Sequence, residues 1–215
     1  MSAGWIRADW AAPDNVLAGT TLRDVDVDSI GVPGNKCWLN QVHGAAVVTA
    51  GPFATAPEAD ASLSRSSEYT CVVRTADCLP VLFCAADGTE VAAAHAGWRG
   101  LAAGVLENTV AAMQTHAGNL LAWMGPAISQ PNFEVGDEVR EAFVGADAGA
   151  ESCFEANERG RWQADLYALA RRRLAAAGVE RVAGGGLCTF ADAERFHSYR
   201  RDAERGRLIS FIALK

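Results

Sequence analysis

The spacing of apolar residues along the chain predicts short strands interspersed with a few helices. Short apolar runs typical of strands occur at Cys37–Ala50 (with a bend at Gly44), Cys71–Thr75, Leu79–Ala85, Thr89–His95, Leu121–Met124, Val182–Phe190 and Leu208–Leu214. Helical spacing occurs at Leu101–His116, Val135–Phe143 and Asp165–Ala177, with Asp165 as an N-cap and Gly178 as a stop. Strands and helices mix without strict alternation, which favours an α+β fold over a doubly wound parallel sheet.

The two apolar runs on either side of Ala86-Asp87-Gly88 predict a β-hairpin, because Asp-Gly between such runs is a strong turn signal. Residues equidistant from the turn face each other in antiparallel strands. A turn centred between Ala86 and Asp87 would set Cys78 opposite His95. A turn centred on Asp87-Gly88 would set His95 opposite Pro80, with Cys78 one step along the diagonal. Either register brings a thiol and an imidazole together at the open end of the hairpin.

The composition indicates one globular domain. The chain has 215 residues, of which 50% are hydrophobic, so we expect a single domain over residues 1–215. The net charge of -7 disfavours nucleic acid and anionic membranes as partners. The sequence has no apolar run of membrane-spanning length, and it does not begin like a secretory signal, so we expect a cytoplasmic protein. Arg171-Arg172-Arg173 falls in a helical pattern and is expected to be a solvated helix face.

A cysteine close to a histidine suits two kinds of chemistry. One is a thiolate–imidazole nucleophile, and the other is a zinc site. His43, which lies in an extended segment next to Gly44, is the candidate for a third ligand. Two histidines and one cysteine would leave a fourth zinc position open to water, as in catalytic sites. For each of these residues taken alone, a structural role remains the alternative.

The other cysteines and histidines carry weaker signals. The six cysteines include no C-x-x-C pair, so we expect reduced thiols, most of them buried in the core. His116 lies at the end of a predicted helix, where the helix dipole favours an imidazolium and a structural role is expected. His197 lies in a polar, aromatic and cationic segment, which predicts a pocket wall or an anion-binding edge, with an ordinary loop as the alternative.

A series of sequence blocks follows in an order that resembles one known family. The blocks are Asn40-Gln41-Val42-His43, Thr75-Ala76-Asp77-Cys78-Leu79-Pro80-Val81, Ala94-His95-Ala96-Gly97-Trp98-Arg99-Gly100, Gly125-Pro126-Ala127-Ile128, Phe133-Glu134-Val135-Gly136, Gly186-Leu187-Cys188-Thr189 and Phe196-His197-Ser198-Tyr199-Arg200-Arg201-Asp202. Together they resemble the YfiH-type family, also called the laccase-domain or polyphenol-oxidase family, over roughly residues 36–215. The second and third blocks are the most specific.

The resemblance implies a layered α/β/β/α domain with mixed β-sheets. It also implies that His43, Cys78 and His95 bind zinc, and that the substrates are a purine nucleoside and phosphate. The implied activity is phosphorolysis of adenosine, inosine or guanosine, with adenosine deaminase activity in some members. A zinc-bound water becomes acidic enough to act near neutral pH, which suits deamination directly.

Several residues near the proposed ligands are candidate substrate contacts. Arginine is well suited to bind phosphate, so Arg74, Arg99 and Arg200 are candidate substrate contacts, together with Gln41. Helix N-terminal amides near Gly100 would favour an anion. Asp77 is a candidate for hydrogen bonding to the nucleoside or for proton transfer, with a strand-start hydrogen bond as the structural alternative.

The segment before the first block departs from the family. Members carry a T-T-R-x-G-G-like stretch followed by a helix-containing segment, whereas here Thr20-Thr21-Leu22-Arg23 is followed by no Gly-Gly. Only about a dozen residues separate Arg23 from Lys36. We therefore expect part of the usual pocket rim to be absent, which also puts a substrate contact by Arg23 in question.

Three other functions compete with this one. Copper-dependent oxidation of phenols is suggested by the family name, but a four-copper oxidase needs many imidazoles, and this chain has 4 histidines. A Cys/His/His site can still take up copper in vitro, because copper binds such ligands more tightly than zinc. A Cys78–His95 pair could hydrolyse an amide in cell-wall precursors without metal. A zinc-stabilised interaction module is the non-catalytic alternative.

Overall fold

The computed structural model describes residues 4–203 and 206–215. Within them, the strands are β1 Trp5–Arg7, β2 Val16–Thr21, β3 Asn35–Cys37, β4 Val47–Thr49, β5 Ala61–Ser64, β6 Tyr69–Thr75, β7 Leu79–Ala85, β8 Val91–Ala96, β9 Leu120–Met124, β10 Glu134–Val135, β11 Phe154–Ala156, β12 Trp162–Ala164, β13 Arg181–Gly184 and β14 Leu208–Leu214. The helices are α1 Trp98–Ala102, α2 Val105–Ala112, α3 Asp137–Val144, α4 Leu166–Ala176 and α5 Tyr199–Asp202. Short 3-10 helices lie at Val27–Ile30, Ala117–Asn119, Gln130–Asn132 and Ala148–Cys153.

The strands form two large mixed sheets and one small one. The six-stranded sheet has the order β13-β9-β7-β8-β5-β4, and the five-stranded sheet has the order β1-β2-β14-β6-β3. Parallel pairs β9–β13, β4–β5 and β3–β6 occur beside antiparallel ones. Strands β10, β12 and β11 form a small antiparallel sheet.

The two large sheets pack face to face. Leu82 and Trp123 of the six-stranded sheet share an apolar cluster with Val73 and Ile212 of the five-stranded sheet. The other face of the six-stranded sheet packs against helices α1 to α4. The outer face of the five-stranded sheet is covered by the segment that includes the 3-10 helix Val27–Ile30. The expected α+β class and its layering are confirmed. On the outer face of the five-stranded sheet, the helical layer is represented among the described residues by the 3-10 helix Val27–Ile30.

The predicted hairpin is confirmed, and its register is the second of the two alternatives. His95 of β8 lies opposite Pro80 of β7, so the turn is centred on Asp87-Gly88. Cys78 precedes β7 and therefore lies diagonally across from His95. The predicted strands at Leu121–Met124 and Leu208–Leu214 and the helix after Asp165 are also confirmed.

Three predicted elements are shorter or more broken than expected. The helix over Leu101–His116 is divided into α1 and α2 by Gly104, whose φ of 92° lies in the left-handed region that an α-helix does not use. Within the predicted extended segment Cys37–Ala50, only Cys37, the last residue of β3, and β4 belong to strands, and Val182–Phe190 is strand only as far as Gly184. His116 is not at a helix C-terminus, because α2 ends at Ala112; its Nδ1 accepts a hydrogen bond from Gly118 N.

The Arg171–Arg173 run is less free than a solvated face would be. Arg171 donates to the carbonyl of Gly184, Arg172 pairs with Asp147, and Arg173 pairs with Glu107.

All six cysteines are free thiols, and Cys37, Cys71, Cys84 and Cys153 are buried. Among the described residues, no helix has both the length and the apolar character needed to cross a membrane.

We expect replacement of Asp165 by alanine to destabilise the fold by about 1 kcal/mol, because its side chain caps α4. The carboxylate of Asp165 accepts a hydrogen bond from Ala168 N at 2.9 Å. Urea unfolding of Asp165→Ala checks the magnitude. Asp165→Asn retains an acceptor oxygen and should lose less stability; an equal loss in both variants would contradict the capping role.

Candidate metal centre and active site

Three side chains from separate parts of the chain meet at one end of the six-stranded sheet. His43 comes from the loop between β3 and β4, Cys78 from the link between β6 and β7, and His95 from β8. Their potential ligand atoms all lie within 4.8 Å of one another. Cys78 Sγ is 3.9 Å from His43 Nε2, and the two imidazole rings meet edge to face with centroids 4.8 Å apart.

The buried carboxylate of Asp60 holds both histidines in place. It accepts hydrogen bonds from the backbone N–H groups of Val42, His43 and Gly44 at 3.2, 3.0 and 2.7 Å. These bonds support the left-handed backbone of His43, whose φ of 60° is unfavourable for a residue with a side chain. The loop that carries His43 is therefore shaped around one carboxylate.

The same carboxylate orients His95. Asp60 Oδ1 lies 2.7 Å from His95 Nδ1, and the backbone N–H of His95 donates to the carbonyl of Asp60 at 2.7 Å. A carboxylate at Nδ1 favours the tautomer with the proton there, which leaves Nε2 available as a ligand atom. The arrangement is the carboxylate–histidine pairing common behind metal-ligating imidazoles.

Charge coupling within the cluster shifts three pKa values. Burial disfavours ionisation of the Cys78 thiol, but hydrogen bonds to His43 and His95 and their charge outweigh it and lower the pKa to about 6. Burial likewise disfavours the imidazolium of His95, but its bonds to Asp60 and Cys78 outweigh it and raise its pKa to about 9. Burial also opposes ionisation of Asp60, whose pKa is nevertheless lowered by bonds from His95 and the backbone.

Two glycines allow the elements of the cluster to approach closely. A methyl group at Gly97 would lie 2.9 Å from Cys78 Sγ and 3.1 Å from His43 Cδ2. At Gly100, in α1, it would lie 2.8 Å from the backbone oxygen of Gly44. The turn from β8 into α1 therefore packs directly on the three candidate ligands.

The donor set fits a zinc ion. Two imidazoles and one thiolate are ligands that zinc prefers, and a set of three leaves one position for substrate or solvent. The low thiol pKa favours the anionic form that binds metal. Binding at neutral pH would require His95 to release the proton that its pKa of about 9 retains, so binding and proton release would be coupled.

A cavity of about 670 Å³ opens over the cluster. This volume is within the range of pockets that hold small-molecule ligands. The described residues that line it are Gln41, His43, Arg74, Ala76, Cys78, His95, Tyr199 and Arg207. Two arginines and no carboxylate belong to this set, so the lining favours an anionic or electron-rich ligand.

Gln41 and Arg74, two of the predicted substrate contacts, line the cavity beside each other. The Gln41 amide donates to the carbonyl of Arg74 at 2.9 Å and accepts from its backbone N–H at 2.8 Å. Arg74 Nη2 donates to the carbonyl of Leu39 at 2.8 Å, and its guanidinium lies 5.8 Å from the ring centroid of Trp38. Gln41 therefore orders the strand that presents Arg74 to the cavity.

Arg99 and Arg200 lie outside the set of residues that line the cavity. The guanidinium of Arg99 packs on the Trp98 ring at 4.6 Å from its centroid. Arg200 Nη1 donates to the carbonyl of Glu134 at 3.2 Å, and its guanidinium lies 5.6 Å from the ring centroid of Phe133.

The carboxylate of Asp77 is held by three hydrogen bonds. It accepts hydrogen bonds from Thr189 Oγ1 at 2.6 Å, Ser198 Oγ at 3.0 Å and Arg200 N at 2.7 Å. Its φ of 86° is left-handed. These contacts join the residue before Cys78 to the start of α5, which presents Tyr199 to the cavity.

Three residues of the site have no assigned role in the sequence analysis: Asp60, Tyr199 and Arg207. Asp60 lies in Ala59-Asp60-Ala61, where an acidic residue enters an apolar strand, and a buried acid of this kind is a usable signal. Tyr199 and Arg207 carry no local signal of that strength. His197, an expected pocket wall or anion-binding edge, is buried; its Nε2 lies 3.1 Å from Asp24 Oδ1.

The fold and the cluster define a class of α+β proteins with a candidate mononuclear metal site at the floor of a cavity. The chain belongs to the family described as multi-copper polyphenol oxidoreductase laccase, whose model matches residues 12–215. The family resemblance expected from the sequence blocks is thus confirmed.

Relatives with named activities are similar over most of their length. A purine nucleoside phosphorylase of Pseudomonas aeruginosa is 47% identical over 239 aligned positions, covering 98% of each chain. Because that alignment is longer than the 215 residues of this chain, the relative has residues that this chain lacks. The purine nucleoside phosphorylase YfiH of Escherichia coli is 54% identical over 185 residues, covering 85% of this chain and 75% of the relative.

Solved structures share the whole fold. A crystal structure of a Neisseria meningitidis protein superposes with a TM-score of 0.93 at 42% identity, covering 99% of both chains. The YlmD protein of Geobacillus stearothermophilus superposes with a TM-score of 0.87 at 26% identity, covering 100% of this chain and 97% of that one.

We expect Asp60→Asn to weaken zinc binding by about 10- to 100-fold, as other losses of a carboxylate behind a ligand histidine do. The amide cannot accept from all the N–H groups that Asp60 serves. Competition with a chromophoric chelator measures the affinity. Asp165→Asn, an acid-to-amide change remote from the cluster, is the matched control. An unchanged affinity in Asp60→Asn would remove Asp60 from this role.

Gly97→Ala should weaken zinc binding although all three ligands remain. The added methyl group would push against Cys78 Sγ and His43 Cδ2, and ligand displacement of a few tenths of an ångström degrades a metal site. Cobalt substitution, read by the thiolate charge-transfer and d–d bands, reports the altered geometry. Gly51→Ala is the control, because an added methyl group there would lie 4.0 Å from Thr49 O, which is an ordinary van der Waals distance. Identical spectra for Gly97→Ala and wild type would contradict the steric argument.

Proposed function

We propose that residues 1–215 act as one enzyme domain, a zinc-dependent purine nucleoside phosphorylase for adenosine, inosine and guanosine, with adenosine deaminase as a second activity. The observation that carries the proposal is the His43–Cys78–His95 cluster at the floor of an arginine-lined cavity. The names of the bacterial relatives support the choice of substrate. We place the enzyme in the cytoplasm.

In this proposal the metal is zinc, held by His43, Cys78 and His95. When bound, it supplies a Lewis acid and makes water more acidic. Asp60 keeps Nε2 of His95 directed at the ligand position, and the thiolate of Cys78 lowers the net charge of the site. Copper would fit the same donors in vitro, but the 4 histidines of the chain do not suit a multi-copper oxidase.

Phosphorolysis joins a phosphate oxygen to C1′ of the ribose while the bond from C1′ to the base nitrogen breaks. The base leaves with the bonding electron pair and takes a proton, which gives the free base and ribose 1-phosphate. The chain must therefore hold a phosphate anion beside the ribose, a task for which Arg74 is placed. Arg99 and Arg200 would need to reorient in order to take part.

Gln41 and Asp77 have supporting roles in the proposed reaction. Gln41 fixes the backbone of Arg74, and its amide lines the cavity. The three hydrogen bonds that Asp77 accepts favour the structural alternative for that residue: it holds α5, and hence Tyr199, beside Cys78.

A second candidate function is amide hydrolysis by Cys78 with a histidine as base. The observation that favours it is the thiol pKa of about 6 with an imidazole 3.9 Å away. The two candidates respond differently to chelation. Removal of zinc should abolish a metal-dependent phosphorylase, whereas a thiolate hydrolase should keep its activity without metal and lose it on alkylation.

We expect the wild-type protein to release the base from inosine and adenosine only when phosphate is present, and Cys78→Ala to release none. Loss of the thiolate removes one of three ligands. Chromatography of the bases, with zinc content measured in parallel, checks both expectations. Cys153→Ala, a buried thiol outside the cavity, is the control and should retain zinc and activity. Release by Cys78→Ala at the wild-type rate would overturn the proposed role of the cluster.

A further inference from the structure

Among its described lining residues, the cavity over the three candidate ligands has one large apolar side chain, that of Tyr199. The other two rings of the lining, those of His43 and His95, belong to the ligand cluster. Ala76 contributes only a methyl group. Tyr199 is 59% exposed, the largest value among the exposed large hydrophobic side chains that the structure describes. Ligand pockets are lined largely by apolar and aromatic side chains, so an open ring on a cavity wall is a surface for a ligand.

The backbone on both sides of Tyr199 is tied to the residue before Cys78. Ser198 Oγ donates to Asp77 Oδ2 at 3.0 Å, and the backbone N–H of Arg200 donates to the same oxygen at 2.7 Å. Asp77 directly precedes Cys78 in the chain. The ring of Tyr199 therefore extends from a backbone position that is fixed relative to one of the candidate metal ligands.

The short helix α5, which carries Tyr199, is also anchored through Arg201. The guanidinium of Arg201 donates to three backbone carbonyls, that of Thr189 at 2.8 Å and those of Phe190 and Phe196 at 2.9 Å. These bonds connect α5 to the segment before it. A support that is already ordered reduces the entropy that a ligand must overcome when it binds against the ring.

The parts of a nucleoside phosphorolysis complex differ in the surface that they need. The base is flat and carries π electrons, whereas the ribose is polar and the phosphate is anionic. The guanidinium of Arg74 suits an anionic part. A base stacks favourably on an aromatic side chain, and such stacking tolerates different substituents because every base has a π face. The ring of Tyr199 is thus the part of the described lining that matches the base.

We propose that Tyr199 is a specificity-determining residue whose ring stacks on the purine base of the nucleoside. This inference rests on the proposed phosphorylase activity and adds the part of the cavity that receives the base. The two fused rings of a purine make more contacts with the tyrosine ring than the single ring of a pyrimidine does, so stacking here favours purine nucleosides. Asp77 has a positioning role, because its hydrogen bonds fix the backbone on both sides of Tyr199.

The test compares Tyr199→Phe, Tyr199→Leu and Tyr199→Ala with wild type in steady-state phosphorolysis of inosine. Tyr199→Phe keeps the ring, so its KM for inosine should stay within about twofold of wild type. Loss of the ring should raise that KM by about tenfold or more in Tyr199→Ala, and nearly as much in Tyr199→Leu, whose side chain is apolar but not planar. The KM for phosphate should change by less than about twofold in all three variants. Phe53→Ala, which removes an exposed aromatic ring outside the cavity lining, is the matched control and should behave like wild type.

Isothermal titration of the zinc-loaded proteins with the two products, hypoxanthine and ribose 1-phosphate, separates this inference from the proposed function. Hypoxanthine binding that weakens in Tyr199→Ala, with ribose 1-phosphate binding unchanged, supports the stacking surface even if wild type releases no base from inosine, in which case the proposed function is wrong. Phosphorolysis with a wild-type KM for inosine in Tyr199→Ala overturns the stacking surface and leaves the function standing.

Three further outcomes would also overturn the stacking surface. The first is equal behaviour of Tyr199→Leu and Tyr199→Phe, because apolar bulk rather than a ring would then be sufficient. The second is a larger loss of affinity for ribose 1-phosphate than for hypoxanthine in Tyr199→Ala, which would place the ring beside the sugar. The third is a wild-type protein that binds no hypoxanthine.

Discussion

The arrangement of the site depends on one buried carboxylate. Asp60 is 0% exposed, and a buried charge is tolerated only when hydrogen bonds and opposite charge surround it. Three backbone N–H groups of the His43 loop and Nδ1 of His95 supply these contacts. The hydrogen bonds that Asp60 needs therefore hold the His43 loop beside His95 of β8. The left-handed backbone of His43 and the tautomer of His95 are both consequences of satisfying that carboxylate.

A second carboxylate, that of Asp77, also joins separate parts of the chain through hydrogen bonds, next to Cys78. It accepts hydrogen bonds from Thr189, Ser198 and the backbone of Arg200, so the residue that precedes Cys78 is joined to the start of α5. Glycines then set how closely these units approach, since Gly97 leaves no space for a methyl group beside Cys78. Rigid support of this kind is what a site needs if its ligand atoms are to stay in register during turnover.

Local charge in the cavity differs from the charge of the whole chain. The protein carries a net charge of -7, whereas the described lining of the cavity contains Arg74 and Arg207 and no acidic residue. A pocket lined by positive charge with low-dielectric walls raises the local concentration of small anions, even when the net charge of the protein is negative. The net charge of the whole chain therefore disfavours a large polyanion as a partner, while the lining of the cavity favours a small anionic or electron-rich ligand.

Local periodicity, turn chemistry and specific sequence blocks were enough to predict the α+β class, the hairpin, α4 with its Asp165 cap and the three candidate ligands. The hairpin register, the break at Gly104 and the roles open to Asp60 and Asp77 depend on contacts between distant parts of the chain. Asp60 and His95 are 35 residues apart, and Asp77 and Arg200 are 123 apart. Contacts at such separations depend on how two sheets pack and pair, and short-range patterns carry no record of that packing.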